Sequence, residues 1–171
     1  MTYESFEATP VWQEAARLYE MTEELLESTA FRASSGFRGQ LDRAALSVSN
    51  NIAEGFERGT TSELLYFLYV ARGSAGETRS MLRVKLRRVA DAALKSQMTD
   101  LIARSLSCSR QLRGWADSLQ NSEIAGQRHL NQRSRRDYDQ KRRAAEFQKE
   151  LLRKLPPGHP LRKDAEERGV I

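Results

Sequence analysis

A chain of 171 residues with 39% apolar and 30% charged content is long enough to enclose one substantial core, with material left for an extension. A single cysteine, Cys108, excludes an internal disulfide and any cysteine-built metal cluster. The opening Met-Thr-Tyr-Glu-Ser-Phe-Glu has neither a basic nor an apolar leader region, and no long apolar run follows, so a cytoplasmic protein without membrane contact is expected.

Apolar residues recur at alternating steps of three and four in four windows, the spacing that lines one side of a bundled helix. Val11, Ala15, Leu18, Thr22 and Leu25 form the first, reinforced by Trp12, Tyr19 and Leu26. Leu41, Ala45, Val48 and Ile52 form the second. Leu64, Leu68, Ala71, Ala75, Thr78, Leu82 and Val89 form the third, and Leu94, Met98, Leu101, Ser105, Cys108, Leu112, Trp115 and Leu119 the fourth. No segment reads as a strand.

Short connections make neighbouring helices antiparallel. Ser34-Ser35-Gly36 separates the first pair, and Gly55 and Gly59 are expected to end the second helix, where glycine accepts a left-handed cap. Thr60 with Glu63 is a capping box for the third. Between Val89 and Ala93 there is no glycine or proline, so local signals alone would allow one long helix across the third and fourth windows.

Three runs within these helices are more particular: Gln40-Leu41-Asp42-Arg43-Ala44-Ala45, then Ser47-Val48-Ser49-Asn50-Asn51-Ile52-Ala53-Glu54-Gly55, then Ala71-Arg72-Gly73-Ser74-Ala75-Gly76-Glu77. Through them the chain resembles, over about residues 6 to 120, the four-helix-bundle family encoded in intervening sequences of bacterial 23S ribosomal RNA genes. Accessory proteins of diversity-generating retroelements belong to the same family. Asp42 stands where the family usually carries a base, and Val48-Ser49 replaces a common Ile-Pro. The resemblance implies a bundle that assembles into a homo-oligomeric ring, typically a pentamer. It also implies binding of nucleic acid or a reverse transcriptase in the retroelement members, and a bend between the third and fourth helices.

Asn50, Asn51 and Glu54 have two readings: they cap the last turn of the second helix, or they form a small polar site at the bundle end. Gly73 and Gly76 lie within a helix, where each costs about 1 kcal/mol relative to alanine. Close helix approach, with Ser74 and Ala75 completing a small-residue face, is the expected compensation. Catalysis finds little support. Glu54 and Glu77 are the only acids positioned near a helical core, and His129 and His159 both fall beyond the fourth helix. Phosphate-cradling glycine motifs are absent, Cys108 sits in apolar register as an inert thiol, and neither cofactor nor metal is expected.

Residues 1 to 121 carry 15 Lys+Arg and 15 Asp+Glu, whereas residues 122 to 171 carry 13 and 8 and so hold the whole net charge of +5. Arg128, Arg133, Arg135, Arg136, Lys141, Arg142 and Arg143 are opposed there only by Asp137 and Asp139. Such a run is either a solvated helix or a phosphate-binding arm, and the resemblance favours the arm. Ala144, Phe147, Leu151 and Leu155 add an apolar stripe before Pro156-Pro157-Gly158 stops the helix, and a short helix is expected across Asp164 to Glu167. Inside the bundle, Arg79, Arg83 and Arg87 recur by fours beside Lys85 and Arg88. They suit phosphate contact, or pairing with acids such as Asp91 or with a neighbouring subunit.

The resulting expectation is an all-α protein. Residues 1–121 form an antiparallel four-helix bundle and residues 122–171 a basic, partly helical C-terminal extension. Its expected role is non-catalytic, a homo-oligomer that binds RNA or DNA or a nucleic-acid enzyme such as a reverse transcriptase. The alternative is an assembly or adaptor protein that contacts another protein without nucleic acid.

Overall fold

The computed structural model describes residues 3 to 121 and 132 to 171. Among them there are six helices and no strand: α1 (Pro10–Glu27), α2 (Ser35–Glu57), α3 (Thr61–Leu86), α4 (Ala92–Gln120), α5 (Gln132–Lys154) and α6 (Pro160–Glu167). The chain divides into two compact units, Met1–Arg128 and His129–Ile171.

Each of the first four helices begins on a side-chain cap that takes up one of the orphan N–H groups of its first turn. Thr9 accepts from the Trp12 N–H, Ser34 from Phe37, Thr60 from Glu63 and Asp91 from Leu94. At Thr60 the hydroxyl also donates to the Glu63 carboxylate at 2.7 Å, so the capping box closes through its side chains. Asp91 settles what local signals left open. Its carboxylate holds the Leu94 N–H at 2.7 Å, and α3 and α4 are separate helices with a turn after Leu86. Asp91→Ala should therefore cost about 1 kcal/mol. Chemical denaturation would measure it, and an unchanged midpoint would show that the chain turns there without the cap.

The expected glycine caps on α2 do not occur. α2 continues past Gly55 to Glu57, its C-cap is Arg58 in an extended conformation, and among the described residues Gly169 is the only one with a positive φ. Gly55 is instead buried inside the last turns, for a packing reason given below.

In the first unit the helices follow one another round a square: α1 packs on α2 and α4, and α3 packs on α2 and α4, while α1 and α3 occupy opposite corners. Antiparallel direction shows in the pairs across α2–α3, where Gln40 meets Glu77 and Ser47 meets Ser74. The four apolar windows converge as read. Leu18, Leu25, Leu41, Val48, Ile52, Leu64, Leu68, Leu82, Met98, Leu101 and Leu112 are fully or almost fully buried. Toward the end of α4 the buried position passes to Ala116, with Trp115 and Leu119 packed at its edge. A straight helix drifts relative to a strict seven-residue repeat, which accounts for the shift. Phe31, in the α1–α2 connection, was not part of any periodic window. It is buried as a plug at that end of the bundle, with the Arg38 guanidinium 6.0 Å and the Lys85 ammonium 5.9 Å from its ring centre.

The second unit is a helix pair. Pro156-Pro157 ends α5, and α6 follows with Ala165 buried. Arg162 donates to the Leu155 and Arg153 carbonyls at 2.9 and 3.2 Å, filling acceptors that the end of α5 leaves open. Phe147 and Leu151 of the α5 stripe remain 67% and 54% exposed.

Candidate functional site

The three sequence runs meet along the α2–α3 groove and form a polar seam. The Gln40 amide donates to Glu77 Oε1 at 2.6 Å, while its carbonyl oxygen accepts from the Arg43 guanidinium at 2.7 Å. Two turns further along α2, the Asn51 amide donates to the Ser47 carbonyl at 2.7 Å and to Ser47 Oγ at 2.8 Å. Ser74 donates to the Val70 carbonyl at 3.1 Å, so the 3.0 Å contact between the two serine hydroxyls has Ser47 as its donor. A directed chain thus runs from Asn51 through Ser47 and Ser74 to Val70 and ties α2 to α3 at a fixed height.

Gly55 closes the same groove at its other end. A Cβ placed there would stand 2.7 Å from Phe67 Cβ and 3.2 Å from Leu64 Cδ1. Only glycine lets α2 and α3 approach so closely. The expectation of close approach at Gly73 and Gly76 is overturned. Neither has any atom within 4 Å of a built Cβ, and Gly73 is exposed. Ala71, Ala75 and Thr78 point into the core, and a residue two positions from Ala71 faces away from it.

Asn50 is exposed, and Glu54 is half-exposed in an ion pair with Arg58 at 2.6 Å. The acids Glu54 and Glu77 lie at different heights, each with its own partner, so they do not make a carboxylate pair. Asn51, Ser74, Glu77 and Gly55 belong to one seam, while Asn50, Glu54 and Gly73 do not join it. Asp42 accepts from the Tyr19 hydroxyl at 3.2 Å and joins α1 to α2. Burial, then hydrogen bonding to Glu23 and the charge of Asp42, push the Tyr19 phenol up to about 12. Cys108 is buried in the core, and desolvation pushes its thiol up to about 12, which fits a packing role. Among the described residues no group of His, Cys, Asp and Glu is arranged to hold a metal ion, and no helix is long and apolar enough to cross a membrane.

Arg79, Arg83 and Arg87 lie in one row along α3 and its C-cap, the first half-buried and the other two exposed. None forms an ion pair among the described residues, and Asp91, the acidic partner expected from the sequence, instead caps α4. Lys85 is drawn aside over Phe31 and Phe37. In the second unit Arg133 and Arg135 lie in α5, and Arg136, Lys141, Arg142 and Arg143 are exposed on it. Arg142 approaches Glu146 at 3.7 Å, and Lys141 and Arg143 have no ion-pair partner among the described residues. Arg128 lies outside the described residues.

No curated protein matches the chain. A family model described as 23S rRNA-intervening sequence protein matches residues 7–114, which cover α1 to α3, most of α4 and the whole seam. With well over half of its length matched, the chain belongs to the 23S rRNA-intervening sequence protein family.

Proposed function

We propose that this protein is a non-catalytic, self-associating helical bundle, a pentamer in the pattern of its relatives, that binds RNA or DNA through its basic extension. The observation that carries this reading is α5. Arg136, Lys141, Arg142 and Arg143 stand exposed on one helix, with Arg142–Glu146 at 3.7 Å as their one ion pair among the described residues, on a segment that holds the excess charge of the chain. Affinity for a phosphate backbone is built from such cations. The bundle supplies a rigid base, and its seam fixes the α2–α3 register. A reverse transcriptase already holding nucleic acid is a partner of the same kind, as in the retroelement branch of the resemblance.

A second reading draws on the exposed Phe147 and Leu151, which would suit an apolar protein partner beside the same cations. Fluorescence anisotropy of labelled single-stranded RNA, single-stranded DNA and duplex DNA with the full chain separates the two. Saturable binding at low salt that weakens steeply as salt rises is expected. Absence of binding to all three probes at low salt would reject the nucleic-acid reading in favour of the adaptor.

A further inference from the structure

The formal neutrality of the bundle conceals a division. Residues 1 to 60 carry five Lys+Arg and ten Asp+Glu, and residues 61 to 121 carry ten and five. The first helical hairpin is thus acidic and the second basic by the same amount. α1 and α3, at opposite corners of the square, turn their outer faces away from each other. Within one chain those faces cannot meet.

The outer face of α3 is the unusual one. Tyr66, Tyr69, Gly73, Gly76, Ser80 and Val84 follow one another at steps of three and four, a second helical seam opposite the buried one. The three large apolar or aromatic side chains that the described bundle leaves exposed all lie on it, Tyr66 at 63%, Tyr69 at 43% and Val84 at 61%. Its two glycines reduce helix stability, and a Cβ built on either would meet nothing within 4 Å in its own subunit. Arg79, Arg83 and Arg87 run along its edge without ion-pair partners among the described residues.

The outer face of α1 supplies the complement. Glu20, Glu24 and Glu27 are exposed there at steps of four and three, and among the described residues their only ion pair is the exposed Arg17–Glu20 at 2.9 Å. The heights can be read from contacts: Tyr19 of α1 is level with Asp42 of α2, and Ser47, five residues further along α2, is level with Ser74 of α3. Glu20, Glu24 and Glu27 therefore stand at about the heights of Arg79, Arg83 and Arg87. Gln13, Ala16 and Arg17 fall near the height of Gly73 and Gly76.

We infer that the outer face of α3 docks the acidic outer face of α1 from a second copy of this chain, head to tail, with the glutamate row on the arginine row. This rests on the self-association proposed above and names the surfaces that carry it. Equal heights have a consequence for closure. Rotation about an axis parallel to the bundle moves each residue without raising it, so a closed ring requires its two mating rows to stand at the same height, whereas rows offset in height would wind into an open filament. The arginine row then serves assembly, and phosphate contact is left to α5.

Charge reversal in the full-length chain tests it. One variant carries Arg79→Glu, Arg83→Glu and Arg87→Glu, a second carries Glu20→Lys, Glu24→Lys and Glu27→Lys, and a third carries all six. Multi-angle light scattering at micromolar concentration should show the wild type as a multiple of 19.5 kDa, each triple variant at 19.5 kDa, and recovery of the wild-type mass in the six-fold variant. Gly73→Leu, which adds bulk without altering charge, should also give 19.5 kDa with an unchanged helical circular-dichroism spectrum, and decides the matter if the triple variants fold poorly. Wild-type mass in both triples and in Gly73→Leu would overturn the assignment of faces while leaving self-association in place. A 19.5 kDa wild type would overturn both. Unchanged mass with lost nucleic-acid affinity in the arginine triple would make that row a phosphate site and reject the inference.

Discussion

Deleting residues 122–171 is expected to remove most of the nucleic-acid affinity and to leave a folded, self-associating bundle. The buried core from Val11 to Ala116 lies wholly in the retained part, as do the seam and all four capping residues of α1 to α4. The deleted part holds 13 of the 28 cations against 8 acids, and the cations of α5 from Arg136 onward are exposed. If about four of them meet phosphates, the slope of log affinity against log salt should be roughly −3 on single strands and nearer −4 on duplex for each engaged arm. A ring multiplies that value. Titrations of full-length and truncated protein across a salt series provide the measurement. Equal affinity of the two at near-physiological salt would move the interface onto the bundle and end the case for α5. Lys141→Ala, Arg142→Ala and Arg143→Ala together should reproduce part of the loss and make the slope shallower.

The second large effect is predicted at Gly55. An alanine there must push Phe67 Cβ, which is anchored to the α3 backbone and cannot rotate aside, from a separation of 2.7 Å. The helix preference of alanine contributes up to about 1 kcal/mol in its favour, and overpacking of a tight contact costs about 1–3 kcal/mol, more for a larger residue. Gly55→Ala should therefore lower Tm by several degrees, and Gly55→Leu should leave little folded protein. Gly73→Ala is the control. With open space at its Cβ it should leave the subunit as stable as before or slightly more so. Thermal unfolding at matched low concentration separates subunit stability from assembly, and a wild-type Tm for Gly55→Ala would show that the helices are not locked together at that point.

The contrast between these glycines marks how far the sequence could be read. The four apolar windows, the capping box at Thr60, the stop at Pro156-Pro157 and the short last helix are local patterns, set by 3.6-residue periodicity and by the hydrogen bonds of a single turn. They were legible and recur in the structure. Two signals of the same kind were present but passed over. Asp91 stands three residues before Leu94, the spacing of an N-cap, and Gly73 is two residues from Ala71, which turns it away from the core. The acidic and basic hairpins were likewise visible as counts and were hidden by adding them together.

Tertiary structure alone decided which groups face one another across helices. Nothing local states that Gln40 reaches Glu77, that Ser47 donates to Ser74, or that Phe67 leaves room only for a glycine at position 55. Those facts depend on the sliding register of α2 against α3. That register follows from the sum of many side-chain contacts over more than twenty residues and from no single motif. The same register sets the glutamates of α1 and the arginines of α3 at one height. Sequence by itself determined the helices, their caps and their buried faces, because each depends on neighbours within one turn. The seam, the tight glycine and the complementary outer faces emerge only once four helices have fixed one another's heights.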